Sequence, residues 1–391
     1  MKRRYLPIVY RITREAGRCV FDLALVILSY VVPKNDDLYL FTSHHGDLFK
    51  GNPRYLYKYF EKKKKKVVWI TTKKSLESYL KKQGINVVFT VSPRGMWRTL
   101  RAKYIFVDNG VRGPFLSGAL AFLGRFNIIQ TWHGSGWKNI ALLDDNFQGI
   151  DRIYMVLICK SFNLILASSE VDQKHFRDSF KNENVVITGL PRNDIFFNEE
   201  LRYKNYKGVF GLDKYEKVIL YAPTFRERYE TKPFTSEFLK ELDEFLLNQG
   251  YIMLLKKHPQ DHSLIVPNGL KRIRDITGDV DDIQELLPDI DILITDYSSI
   301  SVDFAITGKP IIFYTYDMDK YLTECRSTYY DIREILPGPF ASTEHALLDL
   351  LKDMSWFETP DYKKKYKKFR DLFHKYKDGK ACERVEKILE N

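Results

Sequence analysis

Cysteine is scarce in this sequence, four in 391 residues, and Cys19, Cys159, Cys325 and Cys382 lie far apart with no C-x-x-C pair. That spacing excludes a disulfide framework and a cysteine-built zinc cluster, and it fits a reducing, cytosolic environment. Long apolar runs are missing too: none approaches the roughly 20 residues needed to span a bilayer, and no small-x-small cleavage pattern follows the first of them. A transmembrane chain is therefore not expected. No DxD-like pair or metal-ligand cluster demands a bound cation. Asp281 and Asp282 are neighbours, but adjacent residues point about 100° apart on a helix, so they read as helix-start residues, and neither a metal nor a cofactor is expected. Acidic residues are outnumbered, 51 against 62 basic ones, for a net charge of +11. Such a surplus favours polyanionic partners: nucleic acid, an anionic membrane surface or phosphorylated substrates. No RNP-like motif is present, and the cations gather at strand ends and in the first helix, which argues against nucleic acid.

What is present is globular. Apolar residues make up 44% of the chain and aromatics 14%, and the length suggests two domains of roughly 200 residues each. The stretch DILITDYSSISVDFAITGKPIIFYTYDMDKY, Asp291 to Tyr321, reads as a buried strand, a hydroxyl-rich turn, one helix closed by Gly308 and a second buried strand. Backbone N–H groups at such a helix start lack intrahelical partners and carry partial positive charge, so the turn suits a phosphate, with Ser298 and Ser299 adding hydroxyl donors. The competing reading is that Asp296 and the serines only cap the helix.

Residues 2 to 32 read as a basic amphipathic helix. Arg4, Arg11, Arg14 and Arg18 share one face, Tyr5, Val9, Ile12, Ala16 and Leu23 another, and the apolar VFDLALVILSYVV, interrupted by Asp22, continues it. The expected place for the whole is a membrane interface; a helix packed on the protein's own core is the alternative. From Asp37 to Gly189, seven short apolar runs alternate with helix-like stretches: residues 37–43, 67–71, 87–90, 104–109, 127–132, 164–169 and 185–189. Phe197 to Tyr215 reads as a polar linker, and a second domain repeats the alternation at 218–225, 252–259, 273–278, 291–299 and 310–315 before a lysine- and tyrosine-rich helical tail, 361–391. The expected fold is α/β: two Rossmann-like domains facing a cleft (GT-B type), spanning 36–196 and 197–391 after a membrane-associating helix at 1–35, with the last helix free to cross back. Lys62 to Lys66 read as a solvated helix end, whereas Arg94, Arg98, Arg101 and Lys103 beside Met96 and Trp97 suit a lipid headgroup boundary.

Three strand ends carry candidate chemistry. TWHGSGW sets His133 directly after a strand, between an aromatic residue and glycine. A histidine there is suited to take a proton from an alcohol, although a lone histidine is more often structural. LLKKHPQD ends a strand with Lys256, Lys257 and His258, and YAPTFRER places Thr224 and Arg226 after another; cations and forked donors at these places match phosphoryl oxygens, and a solvated strand end is the plainer reading of the first.

Taken together, YAPTFRE, KKHPQD, LITDYSSISVDFAITGKPIIFYTYD, RSTYYDIREILPGP and TWHG resemble the CDP-glycerol glycerophosphotransferases, over roughly residues 40 to 386. The resemblance implies a GT-B fold, attachment to the cytoplasmic face of the membrane, and transfer of glycerol phosphate from CDP-glycerol to a polyprenyl-diphosphate-linked glycan with release of CMP in teichoic acid synthesis. It implies catalytic roles for His133 and His258 and places Asp296, Ser298, Ser299 and Arg326 around the donor phosphates; with Thr224, Arg226 and Lys257 from the strand ends above, these make the expected donor site. Where the family loop reads close to WHGTPLK, this chain has WHGSGWKN, so Gly134, Ser135 and Trp137 mark the expected acceptor side with an altered character. The expected reaction is attack of an acceptor hydroxyl, activated by His133, on the phosphorus that bears glycerol, in line with departing CMP. With about 40 residues before the resemblance begins, a primase or short-chain extender is expected. A CDP-ribitol or capsule enzyme of the same fold stands as the alternative, and a non-catalytic polyanion-binding protein at the membrane surface as the alternative of another class.

Overall fold

The computed structural model describes residues 8–226, 229, 231–258, 261, 264–324 and 328–390, without the side chains of 8–15. The chain divides into two compact units: one holds the residues up to His133, Ile140–Asp194 and the chain from Lys380 onward, the other Gly134–Asn139 and Ile195–Gly379.

The first unit is built on seven parallel strands: β1 (Asn35–Phe41), β2 (Lys66–Thr71), β3 (Val87–Phe89), β4 (Ala102–Val107), β5 (Ile128–Gln130), β6 (Phe162–Ala167) and β7 (Val185–Ile187), in the order β3-β2-β1-β4-β5-β6-β7. The second has β8 (Val218–Tyr221), β9 (Ile252–Leu255), β10 (Ile273–Asp275), β11 (Ile292–Thr295), β12 (Ile311–Tyr314) and β13 (Phe340–Ala341), ordered β10-β9-β8-β11-β12-β13 and again parallel. All twelve runs read as strands from the sequence are strands here; β13, two residues long, gave too short a pattern to read. Central strands are apolar on both faces because helices cover both. In β1, Leu38 and Leu40 join one apolar cluster, while Tyr39 and Phe41 stack with Phe60 and Phe106 on the other side. Both sheets reverse direction of growth at one place, between β1 and β4 in the first and between β8 and β11 in the second. Loops diverge there at the carboxyl ends of the strands and leave room for a ligand.

The first helix, Ile8–Leu28, packs one face of its second half on the first unit, as the alternative reading of residues 2–32 has it for that face. Asp22, Leu25, Val26 and Ser29 are buried in the first unit. The Asp22 carboxylate accepts the backbone N–H groups of Leu116 (2.8 Å), Ser117 (3.0 Å) and Gly118 (2.6 Å), and Ser29 Oγ accepts from Arg125 N at 2.9 Å. The residue that seemed to interrupt an apolar run is thus the anchor that docks it; burial raises its pKa and the three bonds oppose the rise. Val20, Leu23, Ile27 and Val31 remain exposed on the other face. Arg4 and Tyr5 lie outside the described residues, as do the side chains of Val9, Arg11, Ile12 and Arg14.

Two further sequence readings change. The supposed linker belongs to the second unit, where Tyr206, Phe210 and Leu212 enter the core; few apolar residues stand there, but 206 and 210 share one face of the helix Tyr206–Phe210. The tail is two helices. Pro360–Phe373 buries Tyr362, Tyr366, Phe369 and Phe373 in the second unit, and Ala381–Glu390 belongs to the first, held by Asp194, which accepts from Ala381 N (2.9 Å) and Cys382 N (2.8 Å).

Candidate active site

In the first unit the loops that leave β1 and β4 are tied by one carboxylate. Asp108, directly after β4 and buried, accepts Ser43 Oγ at 2.5 Å and His44 N at 2.8 Å, and His44 Nδ1 stands 3.3 Å from it. Burial alone would raise this carboxyl, but the hydrogen bonds and charge of His44, with Ser43 and His133, outweigh it and hold the pKa below the usual carboxylate value. His133 follows β5. Its Nδ1 lies 3.2 Å from the Asp108 carbonyl oxygen, and because a carbonyl only accepts, Nδ1 carries the proton and Nε2 keeps its lone pair. The Trp132 ring packs on the imidazole at 4.2 Å between centroids, and Trp132 itself sits in left-handed backbone at φ 51°. Buried Asn52 fixes that strained turn: its Nδ2 donates to the carbonyls of Thr131 (2.9 Å) and Trp132 (2.8 Å), and its Oδ1 accepts from Arg192 N (3.0 Å). Arg192 Nη1 in turn donates to the His133 carbonyl at 2.6 Å.

Enclosure by protein lowers the His133 pKa below its ordinary 6.5, and the Asp108 charge and carbonyl oppose that. The ring is nonetheless exposed at its surface, where solvent tempers the depression, so the direction is what matters: near neutral pH the imidazole is uncharged with Nε2 open to accept a proton.

The second unit repeats the device. Asp296, directly after β11 and buried, accepts Tyr297 N (2.6 Å) and Thr224 N (2.8 Å), tying the loops after β8 and β11 together, and pairs with Arg226 Nη1 at 2.8 Å. Arg226 was expected to offer its fork to a phosphate; the structure gives that fork to Asp317, with Nε at 2.8 Å and Nη2 at 2.9 Å. Tyr229 and Tyr297 hydroxyls also donate to Asp317, at 2.8 and 3.2 Å. Burial would weaken the guanidinium's charge, but the two carboxylates more than compensate and raise its pKa. Arg226 is thereby a brace for the turn, with its donors spent on protein. Among the described residues, nothing accepts from the Ser298 and Ser299 N–H groups, and neither the Ser299 hydroxyl nor the buried Thr224 hydroxyl has a partner. The helix that follows is shorter than read: Ile300–Phe304, then a 3₁₀ turn, Ala305–Thr307, closed by Gly308 at φ 71°. Its dipole is correspondingly small, which puts the weight on these individual donors.

His258 is exposed and stacks on Phe225 at 4.8 Å. Lys257, expected at the donor phosphates, instead pairs with Asp275 at 3.0 Å and donates to the Leu264 carbonyl; Lys256 donates to the Thr277 carbonyl at 2.7 Å. Lysine stems at a strand end fold back onto the nearest backbone acceptors. The segment Gly134–Asn139 belongs to the second unit, which changes the reading of the acceptor-side loop. Ser135 is buried, and Trp137, 1% exposed, packs edge-on against Phe373 while Tyr329 N bonds its carbonyl at 3.0 Å, so this indole is a core anchor and not a surface for substrate. Gly136 runs beside Ser299: a Cβ there would lie 3.5 Å from the serine's own. Arg326 lies outside the described residues.

Comparison with known proteins decides what this arrangement belongs to. The family model described as CDP-Glycerol:Poly(glycerophosphate) glycerophosphotransferase matches residues 24–391. The chain is a member of this glycerophosphotransferase family. It is 29% identical over 374 residues to a teichoic acid glycerol-phosphate transferase of Staphylococcus aureus (strain NCTC 8325 / PS 47), covering 90% of this chain and 92% of the relative. A teichoic acid poly(glycerol phosphate) polymerase of Bacillus spizizenii (strain ATCC 23059 / NRRL B-14472 / W23) is also 29% identical, with 91% and 92% covered. The fold is that of the wall teichoic acid polymerase TagF: TM-score 0.76 at 23% identity, over 98% of this chain and 94% of the other.

Within this glycerophosphotransferase, sequence reasoning singled out His133 but not the groups that surround it: Asp108, Asn52, His44 and Arg192. A signal existed, since YIFVDN ends a strand with Asp108 just as DILITD ends one with Asp296. The electrostatics set a sign. The acid limb of kcat/KM should lie below pH 6.5, and Asp108→Asn, by removing the charge that raises the His133 pKa, should move it lower still while the rate falls. A pH–rate profile in which the Asp108→Asn limb moves to higher pH would contradict this assignment.

Proposed function

We propose that the protein transfers glycerol phosphate from CDP-glycerol to a hydroxyl of a lipid-linked glycan acceptor in teichoic acid synthesis. The observation that carries this is the tautomer of His133, whose bare Nε2 is what a general base for an alcohol requires, in a chain of this family. The acceptor hydroxyl gives its proton to Nε2, its oxygen attacks the phosphorus that bears glycerol, and the bond from that phosphorus to CMP breaks with the electron pair leaving on CMP. Base catalysis of this kind contributes about 10²- to 10⁴-fold. The Ser298 and Ser299 N–H groups, the Ser299 and Thr224 hydroxyls and His258 meet the donor diphosphate, and Arg326 completes that set. Positioning and charge compensation do the rest, as in other phosphoryl transfers.

The test is CMP release from CDP-glycerol, with CDP-ribitol and a nucleotide sugar in parallel and a synthetic lipid-diphosphate disaccharide as acceptor. The expected product is heavier by one or a few glycerol phosphates, and His133→Ala should lower kcat by at least about 100-fold while leaving CDP-glycerol affinity within about twofold. Preference for CDP-ribitol would replace the donor; a large loss of donor binding in His133→Ala would remove its assignment as the base.

We further propose peripheral attachment to the cytoplasmic face of the membrane. No helix of the described residues is long and apolar enough to cross a bilayer. The exposed Val20, Leu23, Ile27 and Val31 form a stripe that suits the interface, with Trp97, 49% exposed, on the neighbouring helix Pro93–Arg101. Deleting the first helix would also remove the Asp22 anchor, so substitution is the better probe. Val20→Asn/Leu23→Asn/Ile27→Asn should lose co-sedimentation with anionic vesicles and keep its thermal midpoint; retained binding would exclude this face.

A further inference from the structure

The first unit gathers more basic side chains at the carboxyl ends of its strands than a general base requires. His44 and His45 follow β1, Arg112 lies in the loop after β4, His133 follows β5 and Arg192 follows β7, all at the carboxyl ends of parallel strands. They are electrostatic neighbours: His45 feels Arg112 and His44, and His133 feels His44 and Arg192. The acids nearby are committed to protein. Asp108 holds Ser43 and His44, and Asp47 accepts from Thr72 Oγ1 at 2.9 Å and faces Lys73 at 3.3 Å. His45 is exposed, and His44, Arg112 and Arg192 are half-buried.

The backbone adds an independent sign. His44 and His45 are successive non-glycine residues in left-handed conformation, φ 48° and 60°. Each costs about 1 kcal/mol or more relative to the right-handed region, and glycine would remove that cost. Strain kept at two consecutive side-chain-bearing positions, in a loop tied down by a buried carboxylate, marks a place where the side chains themselves are used.

We propose that His44, His45, Arg112 and Arg192 form a subsite for a phosphate group of the acceptor, separate from the groups that hold the donor diphosphate. This rests on the glycerophosphotransferase reading above. An acceptor that ends in glycerol phosphate carries its anionic phosphodiester within a few bonds of the attacking hydroxyl, and one whose glycan is linked through diphosphate carries anions further back. Fixing either anion beside His133 sets the register of the hydroxyl on Nε2. Arginine supplies the forked donors that phosphate oxygens match, and the histidines supply short donors beside it. No bond forms or breaks at the subsite.

The test is binding, which needs no turnover. A synthetic glycerol-phosphate trimer without lipid, and a short-chain lipid-diphosphate disaccharide without glycerol phosphate, are titrated calorimetrically into the full chain and into Arg112→Gln, His45→Gln and Arg112→Lys. Affinity for at least one anion should fall about tenfold in Arg112→Gln and His45→Gln and recover only in part in Arg112→Lys, which keeps the charge and loses the fork, with CDP-glycerol affinity unchanged, which also reports an intact fold. Loss confined to the trimer assigns the site to the chain phosphodiester, and loss confined to the other ligand to the lipid-linked diphosphate. Equal binding by all variants, no binding by the unaltered chain, or parallel loss of CDP-glycerol would overturn the subsite. A chain that shows the expected pattern yet releases no CMP from any donor would retain the subsite and lose the proposed donor.

Discussion

A buried aspartate at the first position after a central strand, holding the loop that leaves the neighbouring strand across the switch point, is the constraint on which both halves of this protein depend. Asp108 does this after β4 and Asp296 after β11. A parallel sheet stops making ladder hydrogen bonds where its strands end, and at a switch point the two adjacent loops run off in opposite directions. Without a tie, both would expose unpaired backbone donors and drift apart. A carboxylate accepts several N–H groups at once, so one side chain fixes two loops, at the cost of burying a charge that must then be compensated. The compensation differs between the units, and the difference sets their chemistry.

Around Asp108 the compensating groups are His44, Ser43 and, through the carbonyl, His133. The result is a uniquely protonated imidazole presenting a bare nitrogen. Around Asp296 the compensation is a full guanidinium, itself shared with Asp317 and two tyrosine hydroxyls. That network ties the turn after β11 to the loop after β8 and to Asp317.

Most of the architecture was legible because central parallel strands are written as short apolar runs, and twelve such runs are strands. What escaped was the fate of polar residues between them. Asp22 looked like a flaw in an apolar helix, yet three N–H groups brought from about 95 residues away make it a dock. Arg226 and Lys257 looked like phosphate ligands, but whether a cation meets substrate or carboxylate depends on tertiary neighbours such as Asp317 and Asp275. Trp137 looked like part of an acceptor surface because it lies four residues past His133, while the chain passes from one unit to the other at that point. His133 stood out because it follows a strand; its tautomer was hidden because the deciding carbonyl belongs to Asp108, 25 residues earlier.

The most direct measurement is a crystal structure of the protein with CDP-glycerol bound. The account predicts the diphosphate oxygens within hydrogen-bond distance of the Ser298 and Ser299 N–H groups and the Thr224 hydroxyl, with the Arg226 fork still closed on Asp317. An Arg226 released from Asp317 and paired with the diphosphate would contradict the brace, and with it the claim that the buried aspartate network, and not a direct arginine contact, builds the donor site.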